Sequence, residues 1–198
     1  VWKTKPLGRP RNTHNRSSSP LVLGDMVIVG SETAAYAVKT TTGEIVWQAR
    51  GLLGEAPSPT VWRTGDGGAY LLCNDTQRVH CVDPKTGKTL WTVPNGEKAG
   101  ASTPAVVGQY MAFCGGGKVG GLSAYRLSPE KPERLWAVYF RDRHTSPVIY
   151  NGYVYAVGGA NVTYGDKGKG RALCVELETG KVMWDCLLYT SDAADELD

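Results

Sequence analysis

The stretch that decides the fold lies at residues 35–47 and reads AYAVKTTTGEIVW. The same pattern returns as VHCVDPKTGKTLW at 79–91 and as ALCVELETGKVMW at 172–184. The closing tryptophan of each belongs to a longer series, with intervals of 45, 44, 45 and 48 residues, formed by Trp2, Trp47, Trp91, Trp136 and Trp184. Internal similarity at a period of about 20–50 residues is typical of solenoids and propellers. The chain is therefore a repeat protein.

Two further markers run in phase with the tryptophans. A hydroxyl residue followed by proline leads each unit, at Ser19-Pro20, Ser58-Pro59, Thr103-Pro104 and Ser146-Pro147. A six-residue span then runs from a turn glycine to a small residue, namely Gly24 to Gly30, Gly67 to Cys73, Gly108 to Cys114 and Gly152 to Gly158. Three markers with one period indicate four consecutive structural units.

Each unit contains four short segments rich in β-branched and aromatic residues, such as LVL, MVIVG, AAYAV and EIVWQA in the first unit. Residues of turn composition separate them. Four strands in about 45 residues are the content of one β-propeller blade. The sequence predicts an all-β fold of four-stranded antiparallel blades at about 17–50, 56–95, 101–140 and 145–185, preceded by the end of another blade at 1–5.

The repeated stretches resemble the eleven-residue tryptophan motif of the PQQ-like propellers, Ala-x-Asp-x-x-x-Gly-x-x-x-Trp. Positions that match it are Ala37, Gly43, Trp47, Asp83, Gly87, Trp91, Gly180 and Trp184. Cys81 and Cys174 stand in the alanine position, while Glu176 approximates the acidic position and Lys39 departs from it. The third unit keeps Trp136, but its stretch AYRLSPEKPERLW is two residues longer and lacks the Thr-Gly step.

The resemblance implies a ring of seven or eight blades, of which this sequence supplies an arc. The motif tryptophan is expected on the outermost strand, where its ring covers the seam with the next blade. An arc leaves two blade faces uncovered, and propellers depend on closure to bury them. We therefore expect the isolated chain to be poorly soluble or oligomeric.

Four of the five cysteines occupy repeat positions that require a small buried side chain. Cys73 and Cys114 are expected in the slot of Gly30 and Gly158, and Cys81 and Cys174 in the slot of Ala37. Free cysteine commonly behaves in this way. A cross-strand disulfide between Cys73 and Cys81 is the alternative. The adjacent cysteine pair that lies against the quinone in the dehydrogenases of the family does not occur in this sequence.

One face of the predicted disc collects the loops that enter first strands and join second to third strands. Its charged and polar residues are Arg16, Glu32, Glu55, Asp75, Gln77, Arg78, Lys98, Lys118, Arg141, Asp142, Arg143 and His144. The densest group, Arg141 to His144, is a candidate for ligand contact, because loops on a rigid scaffold commonly carry function; a solvated charge run is the alternative. His80 is expected to be a packing residue. Asn74-Asp75-Thr76 matches a glycosylation sequon.

The last residues follow another pattern. A back-translation of CLLYTSDAADE is similar to a transposase mosaic end joined to a sequencing adapter used in library preparation. We therefore expect residues 186–198 to be adapter-derived, with a divergent natural linker as the alternative.

The function expected from the resemblance is a binding or scaffold propeller without catalysis, in the periplasm or outside the cell, with a protein or small ligand at its face. The alternatives are a fragment of a PQQ-dependent quinoprotein alcohol dehydrogenase, holding PQQ and Ca²⁺ in other blades, or a sensor domain of a larger protein. No cofactor, metal or catalytic residue is evident in the sequence. The formal net charge of +3 does not indicate nucleic-acid binding, and no apolar run reaches the length of a membrane helix.

Overall fold

Every regular element is a β-strand in the part of the chain that this computed structural model describes, residues 1–5, 7, 18–30, 34–52, 57–75, 77–96, 102–115, 121–140, 142, 144–158 and 170–188. The first sheet contains β1 (Leu21–Leu23), β2 (Met26–Gly30), β3 (Ala34–Lys39) and β4 (Ile45–Arg50). The second contains β5 (Thr60–Arg63), β6 (Ala69–Asn74), β7 (Arg78–Val82) and β8 (Thr89–Pro94). The third contains β9 (Ala105–Val107), β10 (Tyr110–Cys114), β11 (Gly121–Arg126) and β12 (Glu133–Tyr139). The fourth contains β13 (Val148–Tyr150), β14 (Tyr153–Gly158), β15 (Gly170–Glu176) and β16 (Val182–Leu188).

Each sheet is an antiparallel meander of four strands in chain order. The innermost strand β9 contacts both β5 and β13, so consecutive sheets meet along their first strands. This arrangement confirms the predicted arc of four-stranded propeller blades. We refer to the sheets as the first to fourth blades.

The last strand continues beyond the predicted end of the fourth blade. β16 runs to Leu188, and Cys186 and Leu187 pair with Ala172 and Arg171 of β15. Backbone pairing shows where these residues lie and not which DNA encoded them. The adapter origin of residues 186–198 therefore stays a prediction.

The hairpin between the third and fourth strands of a blade explains the acidic position of the motif. In the second blade, Asp83 Oδ1 accepts a hydrogen bond from the Lys85 backbone N at 2.9 Å, and Oδ2 accepts one from the Thr86 hydroxyl at 2.8 Å. The backbone N of Gly87 donates to the Asp83 carbonyl at 2.9 Å. Gly87 has a φ of 72°, a conformation that glycine adopts without steric cost.

The motif tryptophans cross from one blade to the next. The indole Nε1 of Trp47 donates to the Pro84 carbonyl at 2.8 Å, and that of Trp136 donates to the Leu177 carbonyl at 2.7 Å. A Cβ atom added at Gly87 would lie 2.7 Å from the Trp47 ring. Glycine is therefore required in this turn for two reasons, its backbone conformation and the close approach of the preceding blade's indole.

The third blade keeps this contact without the glycine. Ala124 stands opposite Trp136 just as Ala37 stands opposite Trp47, so the two additional residues lie in the connection between the strands. The indole of Trp91, from the second blade, donates to the Ser128 carbonyl in that connection at 2.9 Å. The altered hairpin therefore preserves both the register of the blade and an acceptor for the neighbouring indole.

Most of the hydrophobic core lies between the blades, and a smaller buried cluster of Ala34, Tyr36 and Val38 covers the other face of the first blade, packed with Leu7 and Val29. Each of the three seams is a cluster of buried side chains drawn from two neighbouring sheets. The first seam includes Ile28 and Leu71, the second Leu72 and Met111, and the third Ala112 and Val154. Because both faces of the middle sheets are buried, their strands are apolar on both sides, and burial of this kind is the main favourable term in folding.

Candidate binding face

Hydroxyl groups link the blades along the face that carries the loops into first strands and between second and third strands. We call this side the loop face and the opposite side the turn face. Ser58 Oγ accepts a hydrogen bond from the Ser19 backbone N at 2.9 Å, and Thr103 Oγ1 accepts one from the Ser58 backbone N at 3.0 Å. Ser146 Oγ accepts one from the Thr103 backbone N at 2.9 Å. The hydroxyl before the proline in the second, third and fourth blades is thus an acceptor for the preceding blade.

The sequence identified these positions as a repeat marker and missed this role. Proline fixes its own φ and restricts the residue before it to extended conformations. A hydroxyl at every such position was the signal that could have revealed the link. The hydrogen bonds follow one another from blade to blade, so we call them the hydroxyl chain.

The connection between β6 and β7 is held by Asp75. Its Oδ1 accepts hydrogen bonds from the backbone N atoms of Gln77 at 2.8 Å and Arg78 at 2.7 Å. Its Oδ2 lies 2.7 Å from His80 Nε2. His80 is 8% exposed, as expected for a packing residue, but it also has a polar partner that its match to Tyr36 in the repeat did not predict. This carboxylate fixes a tight turn and orients an imidazole.

Two buried amides and a serine connect the second and third blades beneath the loop face. Asn74 Nδ2 donates to the Ser102 carbonyl at 2.8 Å, and Asn95 Nδ2 donates to Asn74 Oδ1 at 2.9 Å. Ser102 Oγ accepts a hydrogen bond from the Cys114 backbone N at 3.1 Å. Asn74 is fully buried, so it is not accessible as a glycosylation site in the folded chain. A buried polar network of this kind specifies one relative placement of the two sheets.

The predicted cluster from Arg141 to His144 divides into two parts. Asp142 Oδ1 accepts hydrogen bonds from the backbone N atoms of His144 at 2.6 Å and Thr145 at 3.1 Å. The Asp142 side chain also lies against Gly158, where an added Cβ would collide with it. His144 is exposed. Arg141 and Arg143 lie outside the described residues, so their role in ligand contact stays a prediction.

Of the other residues predicted on the loop face, some are described by the structure and some are not. Gln77 and Arg78 are exposed at the tip of the second blade. Those that fall outside the described residues are Arg16, Glu32, Glu55, Lys98 and Lys118. In the described region the two carboxylates of this face, Asp75 and Asp142, both hold backbone, and the exposed side chains are Gln77, Arg78 and His144.

An ion pair within the fourth blade also contacts the end of the third blade. The Arg171 guanidinium forms two hydrogen bonds to the Asp185 carboxylate, at 2.7 and 2.5 Å, and donates a third to the Tyr139 carbonyl at 2.8 Å. The side-chain hydrogen bond with Arg171 lowers the pKa of Asp185 below its usual value. Bidentate pairing of this kind fixes geometry as well as charge.

The cysteines of the repeat are buried free thiols, as predicted: Cys73, Cys81, Cys114 and Cys174. Burial raises the pKa of Cys73 and of Cys81 to about 12, and it also raises the pKa of Cys114. The disulfide alternative is wrong. Cys73 pairs with His80 and faces the first seam, whereas Cys81 pairs with Leu72 and faces the second, so their side chains point to opposite sides of the sheet.

The predicted slot of Cys73 is also off by one residue. In the first blade, Gly30 pairs with Ala35, two positions before Ala37. In the second blade, the residue that pairs two positions before Cys81 is Asn74. The five residues at 64–68 replace a two-residue turn, so counting from the turn glycine misplaces β6. A shift of one residue moves a side chain to the other face of a sheet. Val157, and not Gly158, takes the same slot in the fourth blade, while Cys114 keeps it.

Donors for a metal or a quinone are not assembled in the described part of the chain. No group of three or more His, Cys, Asp or Glu side chains converges there. The four repeat thiols lie in different seams or on different faces, and none is adjacent to another in sequence. These residues do not fit PQQ with Ca²⁺. The described residues also contain no helix of the length and apolarity that a bilayer requires.

Comparison with known proteins agrees with this architecture. A family model described as outer membrane protein assembly factor BamB matches residues 31–198. The BamB structure from Moraxella catarrhalis superposes with a TM-score of 0.64 at 18% identity, covering 86% of this chain and 52% of that chain. A europium-containing methanol dehydrogenase has a TM-score of 0.60 at 16% identity, covering 84% of this chain and 40% of that one. The computationally designed Ika8 protein has a TM-score of 0.54 at 10% identity, covering 84% and 48%.

The chain spans about half the length of each of these three solved structures. At these identities the structural likeness shows the fold alone. No curated protein matches the chain significantly in sequence.

Proposed function

The chain belongs to the family of the outer membrane protein assembly factor BamB, and on that premise we propose that it is part of a binding or scaffold propeller without catalysis of its own. Its partner is a protein that contacts the loop face. The description of the family also supports a place of action in the bacterial periplasm, at the outer membrane.

The observation that carries this proposal is that the carboxylates on the loop face bind backbone while other polar side chains there are exposed. Asp75 and Asp142, which could have acted as acids or bases, accept hydrogen bonds from backbone N atoms of their own loops. Their carboxylates thereby hold the loops rigid, while Arg78 and His144 project into solvent. Rigid loops with exposed polar tips are suited to recognition, because little conformational entropy is lost when they bind.

The dehydrogenase alternative rests on the fold shared with methanol dehydrogenase, and fold does not determine function. The four repeat thiols are buried, and the loop-face carboxylates of Asp75 and Asp142 accept hydrogen bonds from backbone, and both observations favour binding over quinone chemistry. We therefore retain the enzyme as an outcome of the test and not as a second proposal.

The test is site-specific photo-crosslinking in a bacterial envelope extract. A photoreactive residue is placed at Arg78 or His144 on the loop face and, as the matched control, at the exposed Lys85 on the turn face. We expect one defined protein to be linked from both loop-face positions and not from Lys85. Equal labelling from the two faces would refute a loop-face partner. Alcohol oxidation that depends on added PQQ and Ca²⁺ would establish the enzyme instead.

A further inference from the structure

The turn face is electrically balanced, and the excess positive charge of the chain lies elsewhere. The hairpins and strand ends of the turn face, all within the described residues, contain eight Lys and Arg and eight Asp and Glu, counted over residues 24–25, 39–45, 63–69, 82–89, 107–110, 126–134, 150–153 and 176–182. The whole sequence has 22 Lys and Arg and 19 Asp and Glu, and four of these acidic residues lie beyond Leu188, where the described residues end. Up to Leu188 the cations are therefore in excess by seven, and none of that excess belongs to the turn face.

The carboxylates that the structure describes on or near the loop face are already engaged. Asp75 and Asp142 each accept two hydrogen bonds from backbone N atoms of their own loops. Asp185 forms the bidentate ion pair with Arg171. The negative charge of these three groups is therefore directed at the protein itself and is not offered to a partner.

Two arginines of the loop face, in contrast, point their charge at solvent. Arg78 begins β7 in the second blade, and Arg50, which the predicted set of loop-face residues did not include, ends β4 in the first. Both are exposed, and the ion pairs of the described residues involve other groups. At the loop-face end of β12, Tyr139 is 57% exposed. Arginine and tyrosine are the residue types that anchor many protein interfaces.

We propose, on the basis of the function proposed above, that the protein that contacts the loop face presents an acidic segment to Arg50 and Arg78. Opposite charges across an interface favour the correct partner and its orientation, and like charges placed opposite one another are costly. The unpaired cations of the loop face attract such a segment, whereas the balanced turn face does not. Charge thus decides which side of the arc the partner meets.

A protein segment fits this face better than an anionic membrane does. Lipid headgroups are recognised by clusters of about four to eight Lys and Arg. Arg50 and Arg78 instead lie in different blades, and the exposed Tyr139 lies in a third. An acidic segment that runs from blade to blade can meet all three side chains.

The test uses pairs of charge reversals that change the net charge equally on the two faces. A photoreactive residue at the exposed, uncharged Gln77 reports contact in a bacterial envelope extract. Arg50→Glu with Arg78→Glu should lower the yield of the cross-linked partner by about tenfold or more, because attraction becomes repulsion. Lys88→Glu with Lys181→Glu, at exposed positions that follow turn glycines, is the matched control and should leave the yield unchanged. Arg50→Gln with Arg78→Gln removes the attraction alone and should give a smaller loss, which is measurable even where the reversed chain does not fold.

Circular dichroism establishes that each variant is folded, and mass spectrometry identifies the peptide of the partner that is linked. An excess of Asp and Glu over Lys and Arg in that peptide supports the proposal, as does a yield that falls when NaCl is raised from about 50 to about 500 mM. A neutral or basic peptide overturns it, and so does equal loss in the two reversed chains or no loss in either. In those outcomes a loop-face partner still exists. If the parent chain forms no link, the proposed function fails as well.

A second measurement separates a protein from a membrane. The purified 198-residue chain is sedimented with vesicles of phosphatidylglycerol, and we expect it to remain in the supernatant. Sedimentation that is lost in Arg50→Glu with Arg78→Glu would identify an anionic membrane as the occupant of the loop face and would overturn the acidic protein segment.

Discussion

Trp136 and Trp184 hold the same place in consecutive blades, and only one of them is buried. Each stands opposite the small residue of its motif, Ala124 in the third blade and Cys174 in the fourth. Trp136 crosses to the Leu177 carbonyl and is 9% exposed, whereas Trp184 is 46% exposed. The repeat sequence therefore determines where the aromatic ring is placed, and the adjacent blade determines whether that ring is buried in a core.

The difference also shows where the stability of this fold resides. In a propeller the blade is a small sheet that buries little by itself, and most apolar contact is made between blades. A blade with two neighbours has both faces covered, as the second blade does between the first and second seams. The fourth blade has one face covered. Substitutions at equivalent positions can test this division.

The largest effect is expected from truncating the two tryptophans. Trp136→Ala should lower the free energy of unfolding by about 3–5 kcal/mol, because it leaves a cavity in a closed seam. Trp184→Ala should lower it by only about 1–2 kcal/mol, because almost half of the ring is already solvated. Urea denaturation of dilute, monomeric protein measures both. Equal losses would show that the face of the fourth blade that carries Trp184 is covered in solution.

A smaller loss of stability is expected at the turn glycine, where the cost of the backbone conformation can be separated from the cost of contact with the neighbouring indole. Gly87→Ala should cost about 1–2 kcal/mol for its positive φ and a further ~1–3 kcal/mol for the overlap with Trp47. Gly24→Ala is the matched control, since Gly24 has a φ of 60° and no atom within 4 Å of an added Cβ. It should show the backbone cost alone. If both variants lose the same stability, the indole does not press on the turn.

The smallest effect concerns the hydroxyl chain on the loop face. Ser58→Ala removes the acceptor for the Ser19 backbone N and should lower the free energy of unfolding by about 1 kcal/mol. Ser58→Thr should retain the parent value, because Thr103 makes the same hydrogen bond one blade later. Thermal and urea denaturation of the two variants measures the change in the free energy of unfolding. A stable alanine variant would mean that water substitutes for the hydroxyl.

The repeat features of the fold could be predicted because they are local. Alternating strand segments, the turn glycine and the tryptophan at a fixed distance are all encoded within one unit. Even the longer third hairpin keeps Trp136 in register, since the strands flanking it retain their pattern. The burial of Cys81, Cys114 and Cys174 followed from their places in these strands.

What the sequence did not reveal depends on side-chain contacts and strand pairing that arise only when the chain is folded. The pairing of Asp75 with His80 arises from a turn closing on itself, and the amide network of Asn74 and Asn95 reaches into the next blade. The position of Cys73 was missed because one connection has an odd number of residues and reverses the faces of β6. The number of residues in such a connection, and therefore the face on which the next strand places each side chain, is known only after the strand pairing is known.

The buried thiols have a consequence for following how the molecule opens. Cys73 lies in the first seam, Cys81 in the second and Cys114 in the third, while Cys174 lies opposite Trp184 on the face of the fourth blade that is not part of the third seam. A thiol whose pKa is raised by burial reacts with an alkylating reagent only when its surroundings separate. The order in which these cysteines are labelled therefore gives the order in which the blades part. The chain carries a natural probe for each of its interfaces.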